Sequence, residues 1–471
     1  TAGHNPRVMT SSDEPYNQII TDDWSTASVQ MNPLYESPTA RALGGGGYIQ
    51  NSSLQLVDAT FSNNIASAQA TSGAHASAAG GGLWMAGVRD TNLTSVEFIA
   101  NKALSDQIAQ GGAIYLNEGS LTLSSGIFSG NQVSGGNFDN AKGGAIYAAS
   151  MILNVSDTVF TNNTAKGGVT QGGALFITNN SKLTYTISDN AAALRKTVTC
   201  SGNTASEGGF LYLENSTADF VIGTNTKLMI ADSIAGSGTI TKSGADMEIS
   251  AAIADSNIRW TVATGLLELS TVARTINLNN WTIGTDAMLR LSALNDTVNM
   301  STDKKIGILD LGGGSDVINT GGYSLSDGQL LVSTLTFTGG GHVSSEISTR
   351  TEDASFDITL ANVVLDSNIS GGNGDDIIRI TQESTVGGIM NLGDGDNRIT
   401  GTADVTFRSG LTLGKGDDTL SLTNATFASA VTLGDGNNSL TATGKAQFSG
   451  DVTGGKGRDT FTSKEITFDK K

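Results

Sequence analysis

Leu392-Gly393-Asp394-Gly395-Asp396-Asn397-Arg398-Ile399 is one of five copies of a short turn that recur toward the C-terminal end. The others span 371–378, 413–420, 433–440 and 454–461. Their core is G-x-G-x-[DN]-x-[apolar], and successive copies lie 20 or 21 residues apart. A period in the low twenties is about one turn of a solenoid. The apolar residues keep the same phase: Ile378, Ile399, Leu420, Leu440 and Phe461 form one series, and Phe407, Phe427 and Phe448 another. Equal apolar residues at equal phase stack as ladders when coils pile up. The stretch therefore predicts an all-β, single-stranded parallel β-helix.

A second repeat family occupies the first half. Gly-Gly followed by apolar residues occurs at Gly46-Gly47-Tyr48-Ile49, Gly81-Gly82-Leu83-Trp84, Gly111-Gly112-Ala113-Ile114-Tyr115 and Gly143-Gly144-Ala145-Ile146-Tyr147. It continues at Gly172-Gly173-Ala174-Leu175-Phe176 and Gly208-Gly209-Phe210-Leu211-Tyr212. Between these copies sits F-x-x-N: Phe61 to Asn64, Phe98 to Asn101, Phe128 to Asn131 and Phe160 to Asn163. A fifth copy, Cys200 to Asn203, carries Cys in the Phe place, so Cys200 is expected to pack as a small hydrophobe rather than act as a nucleophile. Each pair of motifs reads as one coil. Gly-Gly permits a tight bend, Phe stacks inward, and Asn turns a corner with its amide bonded to backbone or to a neighbouring Asn. The spacing from each Asn to the next Gly-Gly varies. The stretches 65–80, 102–110, 132–142 and 164–171 therefore read as loops on one edge and as the expected contact surface.

The chain has 471 residues, with 60 Gly and 4 Pro. That balance excludes collagen and Pro-rich disorder. The net charge of -18 excludes a basic nucleic-acid face. A single cysteine excludes an internal disulfide, and no apolar run is long enough to span a membrane as a helix. The chain begins at Thr1 with no signal segment, which reads as a mature or excised fragment. Four regions follow: a cap or arm at 1–43, Gly-Gly/F-x-x-N coils at 44–223, transitional coils of short strands and Gly-Ser turns at 224–310, and G-x-G-x-D coils at 311–471.

The alternating motifs over 44–212 resemble the passenger domain of the chlamydial polymorphic membrane proteins, which are autotransporter adhesins with a right-handed β-helix. Ile230 to Lys242 looks like a linker common in autotransporter passengers. The chain has fewer cysteines than that family usually carries, so it reads as a related passenger. The resemblance implies a right-handed winding, a bacterial cell-surface or secreted location, and a partner on a host cell, in the matrix, or on another copy of the chain. It also implies attachment to the membrane only through a C-terminal barrel or other anchor.

The G-x-G-x-D copies are similar to the calcium-binding nonapeptide of RTX proteins. Asp376, Asp396, Asp418, Asp435 and Asp459 are the candidate calcium ligands on that reading, because calcium wants six to eight hard oxygens. Those nonapeptides run in tandem, whereas here one copy occurs per coil. The sixth position alternates Asp376, Asn397, Asp418, Asn438, Asp459. Alternation relieves repulsion between stacked carboxylates and suits a metal-free ladder of Asp and Asn. Both readings stand at this level. His4, His75 and His342 are isolated and read as surface residues. No non-repeating acid cluster marks a catalytic site, so the expectation is a non-enzymatic adhesin. A self-associating rod and a polysaccharide-degrading enzyme are the alternatives.

Overall fold

The Gly-Gly pair that opens each early coil uses its two glycines for different reasons. In the computed structural model, which describes residues 24–25, 39–69, 75–136, 140–192, 194–253 and 257–469, Gly111 adopts a φ of +63°. That left-handed turn favours glycine. Gly112 is instead hemmed in, since a Cβ there would lie 2.1 Å from the Gly144 carbonyl oxygen of the next coil. Strand pairing corrects the phase of the first two copies. Gly44–Gly45 and Gly80–Gly81 hold the places equivalent to Gly111–Gly112, not Gly46–Gly47 and Gly81–Gly82. Runs of three and four glycines leave the phase open in sequence, and only the left-handed turn and the pairing decide it.

The described residues are all-β apart from one short 3-10 turn at Leu278–Asn280, and the paired strands run parallel. No helix among them is long and apolar enough to cross a membrane. The chain forms two compact units, Thr1–Trp260 and Thr261–Lys471. The division falls inside the stretch 224–310.

In the first unit a coil runs through strands Leu83–Thr94, Glu97–Ile99, Lys102–Ser105 and Ile108–Gln110. Each pairs with its counterpart one coil later, in Ile114–Ser124, Ile127–Ser129, Gln132–Ser134 and Asn140–Lys142. The stretches expected as loops are thus mostly strand, and this corrects the sequence reading. The reason is their small inward residues. Ala66, Ala68, Ala76, Ala78, Ala103, Ala109, Val133, Ala141 and Ala165 form one buried cluster. Alanine at alternating positions lets two narrow sheets approach closely without the bulky apolar signal that marks a strand in sequence. The cap expected at 1–43 lies outside the described residues except for Trp24–Ser25, which pairs with Phe61–Ser62, and Thr39–Leu43, which pairs with His75–Ala79.

The start of the stretch 224–310 differs from the expected short strands. Leu211–Ile230 and Ile234–Ile249 are long strands paired along most of their length. The segment 230–242, read as a linker, is built into this pair. Gly236, Gly238 and Gly244 take positive φ within the second strand. They let it bend round the coil without breaking.

In the second unit each late coil has a short strand, the Gly–Asp turn and a long strand: Leu411–Thr412 leads to Thr419–Phe427, and Val431–Thr432 to Ser439–Phe448. The expected registers hold. Ile378 pairs with Ile399, Ile399 with Leu420, Leu420 with Leu440, and Leu440 with Phe461. Phe407 stacks on Phe427 at 5.1 Å between centroids and Phe427 on Phe448 at 4.9 Å. Offset-stacked pairs of this kind contribute about 0.5–1.5 kcal/mol each beyond area burial.

Candidate functional site

The Gly–Asp turns carry two side-chain ladders that point in opposite directions. At the sixth position, each side chain reaches back to the coil before it. Asn397 Oδ1 accepts the Asp376 backbone N–H at 3.0 Å, Asp418 Oδ1 accepts that of Asn397 at 2.9 Å, and Asn438 Oδ1 that of Asp418 at 2.9 Å. At the fifth position each reaches forward. Asp375 Oδ1 accepts the Asp396 N–H at 2.8 Å, and Asp396 Oδ1 accepts that of Asp417 at 2.7 Å. The sixth position is buried at Asp376, Asn397, Asp418 and Asn438 and exposed at the last copy, Asp459, while the fifth is exposed. Each N–H thus finds a carboxylate or amide oxygen instead of a strand partner, so the turn satisfies its own backbone.

The five candidate calcium ligands fall into three different rows. Asp376, Asp418 and Asp459 stand in the sixth-position row, Asp396 in the fifth and Asp435 in the third. All five accept backbone N–H groups: Asp376 from Phe356, Asp418 from Asn397, Asp459 from Asn438, Asp396 from Asp417, and Asp435 from Lys456. Among the described residues no group of three or more His, Cys, Asp or Glu side chains is placed to hold a metal ion. In the structure these five carboxylates serve as acceptors in hydrogen-bond ladders between coils.

Burial has a cost at the Asp members of the inward row. Asp376 Oδ2 and Asp418 Oδ2 are shielded and make no hydrogen bond, as is Asp316 Oδ2 in the related turn at 311–318. Desolvation pushes Asp376 and Asp418 up to about 6. It pushes Asp316 to about 7, with Asp296 and Asp310 adding like charge. The alternating Asn side chains carry a donor at this place instead. Asn397 Nδ2 donates to the carbonyl oxygens of Gly393 and Gly395 at 3.2 and 3.1 Å.

The first unit uses the same backward-reaching device with a run of five Asn. Asn64, Asn101, Asn131, Asn163 and Asn203 are buried. Asn101 Nδ2 donates to Asn131 Oδ1 at 3.0 Å and Asn131 Nδ2 to Asn163 Oδ1 at 2.9 Å. Asn131 Nδ2 also donates to the Phe98 carbonyl at 2.8 Å. Beside this ladder Phe61, Phe98, Phe128 and Phe160 stack at 4.8–4.9 Å. Cys200 follows them in register, fully buried, with its thiol pushed up to about 11 by burial. It is a packing residue, as its place in the repeat predicts. His75 and His342 are exposed, bonded to Gln107 and Asp366. His4 lies outside the described residues.

A further ladder faces outward, and the sequence reading passed over it. The aromatic residue three places after the Gly-Gly pair stacks on its counterpart through six coils: Tyr48, Trp84, Tyr115, Tyr147, Phe176 and Tyr212. Centroid spacings run from 4.4 to 5.8 Å with planes within 5° of parallel. Its signal is present in the motifs, as an aromatic at one fixed phase. A strand alternates faces, so the phase of these rings is opposite to that of the inward Ile114 and Leu116: Tyr48 is exposed, Trp84, Tyr115, Tyr147 and Tyr212 are half-buried, and Phe176 is fully buried, with the Lys142 ammonium 4.4 Å from its ring centre.

The second unit also holds a charge cluster with no motif to announce it. Asp310 is buried and receives Arg290 Nε at 2.7 Å and Arg350 Nε at 3.0 Å. Arg350 also donates to the Gly312 carbonyl at 3.3 Å. The three residues come from different coils, so their approach is invisible in sequence. A comparison with protein-family models matches no family, and comparisons with curated proteins and with solved structures match none.

Proposed function

We propose that this chain is the passenger region of a bacterial surface autotransporter, wound as a single-stranded right-handed parallel β-helix and working as an adhesin. The observation that carries the reading is the ring ladder from Tyr48 to Tyr212, five of whose six rings reach the surface. Rings held rigidly by stacking offer amphipathic contact area at low conformational-entropy cost, the property that enriches Tyr and Trp at recognition surfaces. The Gly-Gly/F-x-x-N resemblance supports the same reading. The contact surface therefore moves from the stretches 65–80, 102–110, 132–142 and 164–171, which are mainly strand, to the face bearing the ladder. The partner is a component of a host cell or its matrix, and many copies on one cell would add avidity.

The test is attachment of beads coated with the purified chain to cultured host cells and to matrix-coated plates. Saturable attachment that falls when Trp84 and Tyr115 are both changed to Ala supports the reading. Attachment equal to that of uncoated beads sinks it. Concentration-dependent growth in sedimentation coefficient without cell attachment would favour the self-associating rod.

A further inference from the structure

Tyr212 is the last ring of the outward ladder. One face stacks on Phe176 at 5.4 Å and 3°. On the next coil the register places Ala235 where another ring would continue the stack. A methyl group in place of a ring leaves a slot beside Tyr212, and a cleft of about 460 Å³ lies there. Its lining includes Tyr212, Glu207, Ser233, Asn257, Ala235 and Ile253. The slot thus has an aromatic wall, small apolar residues, and a carboxylate, a hydroxyl and an amide around it.

We propose that this cleft binds a neutral or amino-bearing pyranose sugar, stacked on the open face of Tyr212 in the place of the missing ladder ring. A pyranose has an apolar C–H face and hydroxyls around its edge, which is the pattern of this lining. The C–H face covers the Tyr212 ring and excludes water from it. Glu207 accepts from sugar hydroxyls. Gln171 Nε2 already donates to its Oε2 at 3.0 Å, and the carboxylate keeps further lone pairs. Ser233 Oγ accepts the Gly209 N–H at 2.8 Å, which leaves its own O–H to donate. Asn257 supplies both a donor and an acceptor. A purely aromatic ligand would fill the slot but leave these groups without partners, at a cost. The Glu207 carboxylate and the net charge of -18 select against an acidic sugar. The proposal deepens the adhesin reading and rests on it for its biological setting, while the chemistry of the slot rests on Tyr212 and Ala235.

The experiment is saturation-transfer NMR on the full chain with the methyl glycosides of glucose, galactose and N-acetylglucosamine. N-acetylneuraminic acid serves as the acidic counterpart. Saturation should reach the ring C–H protons of at least one neutral glycoside and not the acid. Tyr212→Ala should weaken the titrated affinity about tenfold or more. Ala235→Phe supplies the missing ring, so it should abolish binding while the thermal midpoint holds or rises. Glu207→Ala, an exposed change that leaves the stack alone, should weaken binding several-fold and covers the case in which a ladder variant does not fold. No transfer from any neutral glycoside at millimolar concentration, or binding that survives both Ala235→Phe and Glu207→Ala, overturns the proposal. Cell attachment without sugar binding would remove this site and leave the adhesin reading in place.

Discussion

Asp232 ends the asparagine ladder of the first unit by accepting the Asn203 side-chain Nδ2–H at 2.7 Å and the Asn203 backbone N–H at 2.9 Å. Its other oxygen accepts the Gly202 N–H at 3.0 Å. The ladder thus passes from amide to amide and finishes on an anion that only accepts, which suits a row whose last free groups are donors. Asp232→Ala strands these donors and should cost about 1–3 kcal/mol. Asp232→Asn should keep most of the stability. Urea unfolding followed by circular dichroism separates the two, and equal midpoints for Ala and wild type would remove the terminating role.

The buried carboxylates of the second unit set a pH dependence with a definite sign. Asp376 and Asp418 stand at about 6 and Asp316 at about 7, all above the ordinary 3.8. Their neutral form is the one the fold prefers. Their contribution is therefore complete below about pH 4 and is lost as the pH rises through 6 to 7. The thermal midpoint should fall between about pH 4 and pH 7. Asp376→Asn and Asp418→Asn should flatten that fall, because Asn already fills alternate places in the same row. A profile unchanged by both substitutions would mean that the row does not titrate.

Calcium has a clear readout in the same unit. The five candidate carboxylates are already engaged by backbone N–H groups. Excess EDTA and millimolar calcium should therefore give the same midpoint. A rise of several degrees with calcium would show a native-state ion site, since a ligand bound only by the folded chain adds stability by mass action.

Two glycines on adjacent corners should respond differently. Gly130 has a φ of +66° and open space where a Cβ would go. Gly130→Ala should cost about 1–2 kcal/mol from the left-handed backbone alone. At Gly112 the added Cβ meets the Gly144 carbonyl oxygen at 2.1 Å. Gly112→Ala must push two coils apart and should lower the unfolding midpoint far more, or prevent folding. Equal losses at the two sites would contradict the packing reason given for the second glycine.

Arg290 and Arg350 together neutralise Asp310. Replacing either by Met leaves a buried carboxylate with half its partners and should cost about 3 kcal/mol. Asp310→Asn should cost less, because it removes the charge along with the need for it. A thermal-shift comparison of the three variants checks the order.

The late coils were legible because their period is regular and their apolar residues are large. Ile399, Leu420 and Leu440 repeat at one phase, and the only way to bury all three is to stack them. The Phe and Asn places of the early coils were legible for the same reason, and so was the packing role of Cys200, which inherits a Phe position. The alanine sheets were not. Ala66, Ala103 and Ala165 carry no strong strand preference, and variable spacing made their segments look like loops. What makes them strands is the coil on either side, which supplies backbone partners that the segment cannot provide for itself.

The sequence by itself determined the repeat: its period, the inward Phe and apolar ladders, and that Asp and Asn alternate along the inward row of the Gly–Asp turns. These follow from local spacing and from the few residues that tolerate a tight bend. Tertiary structure alone decided what lies opposite what. It set the phase of the glycine runs, brought Arg290 and Arg350 to Asp310, ended the asparagine ladder on Asp232, and left Ala235 facing the last ring at Tyr212. Each of these joins residues from different coils, and register between coils is fixed by the summed packing and hydrogen bonding of whole strands, which no single stretch of sequence encodes.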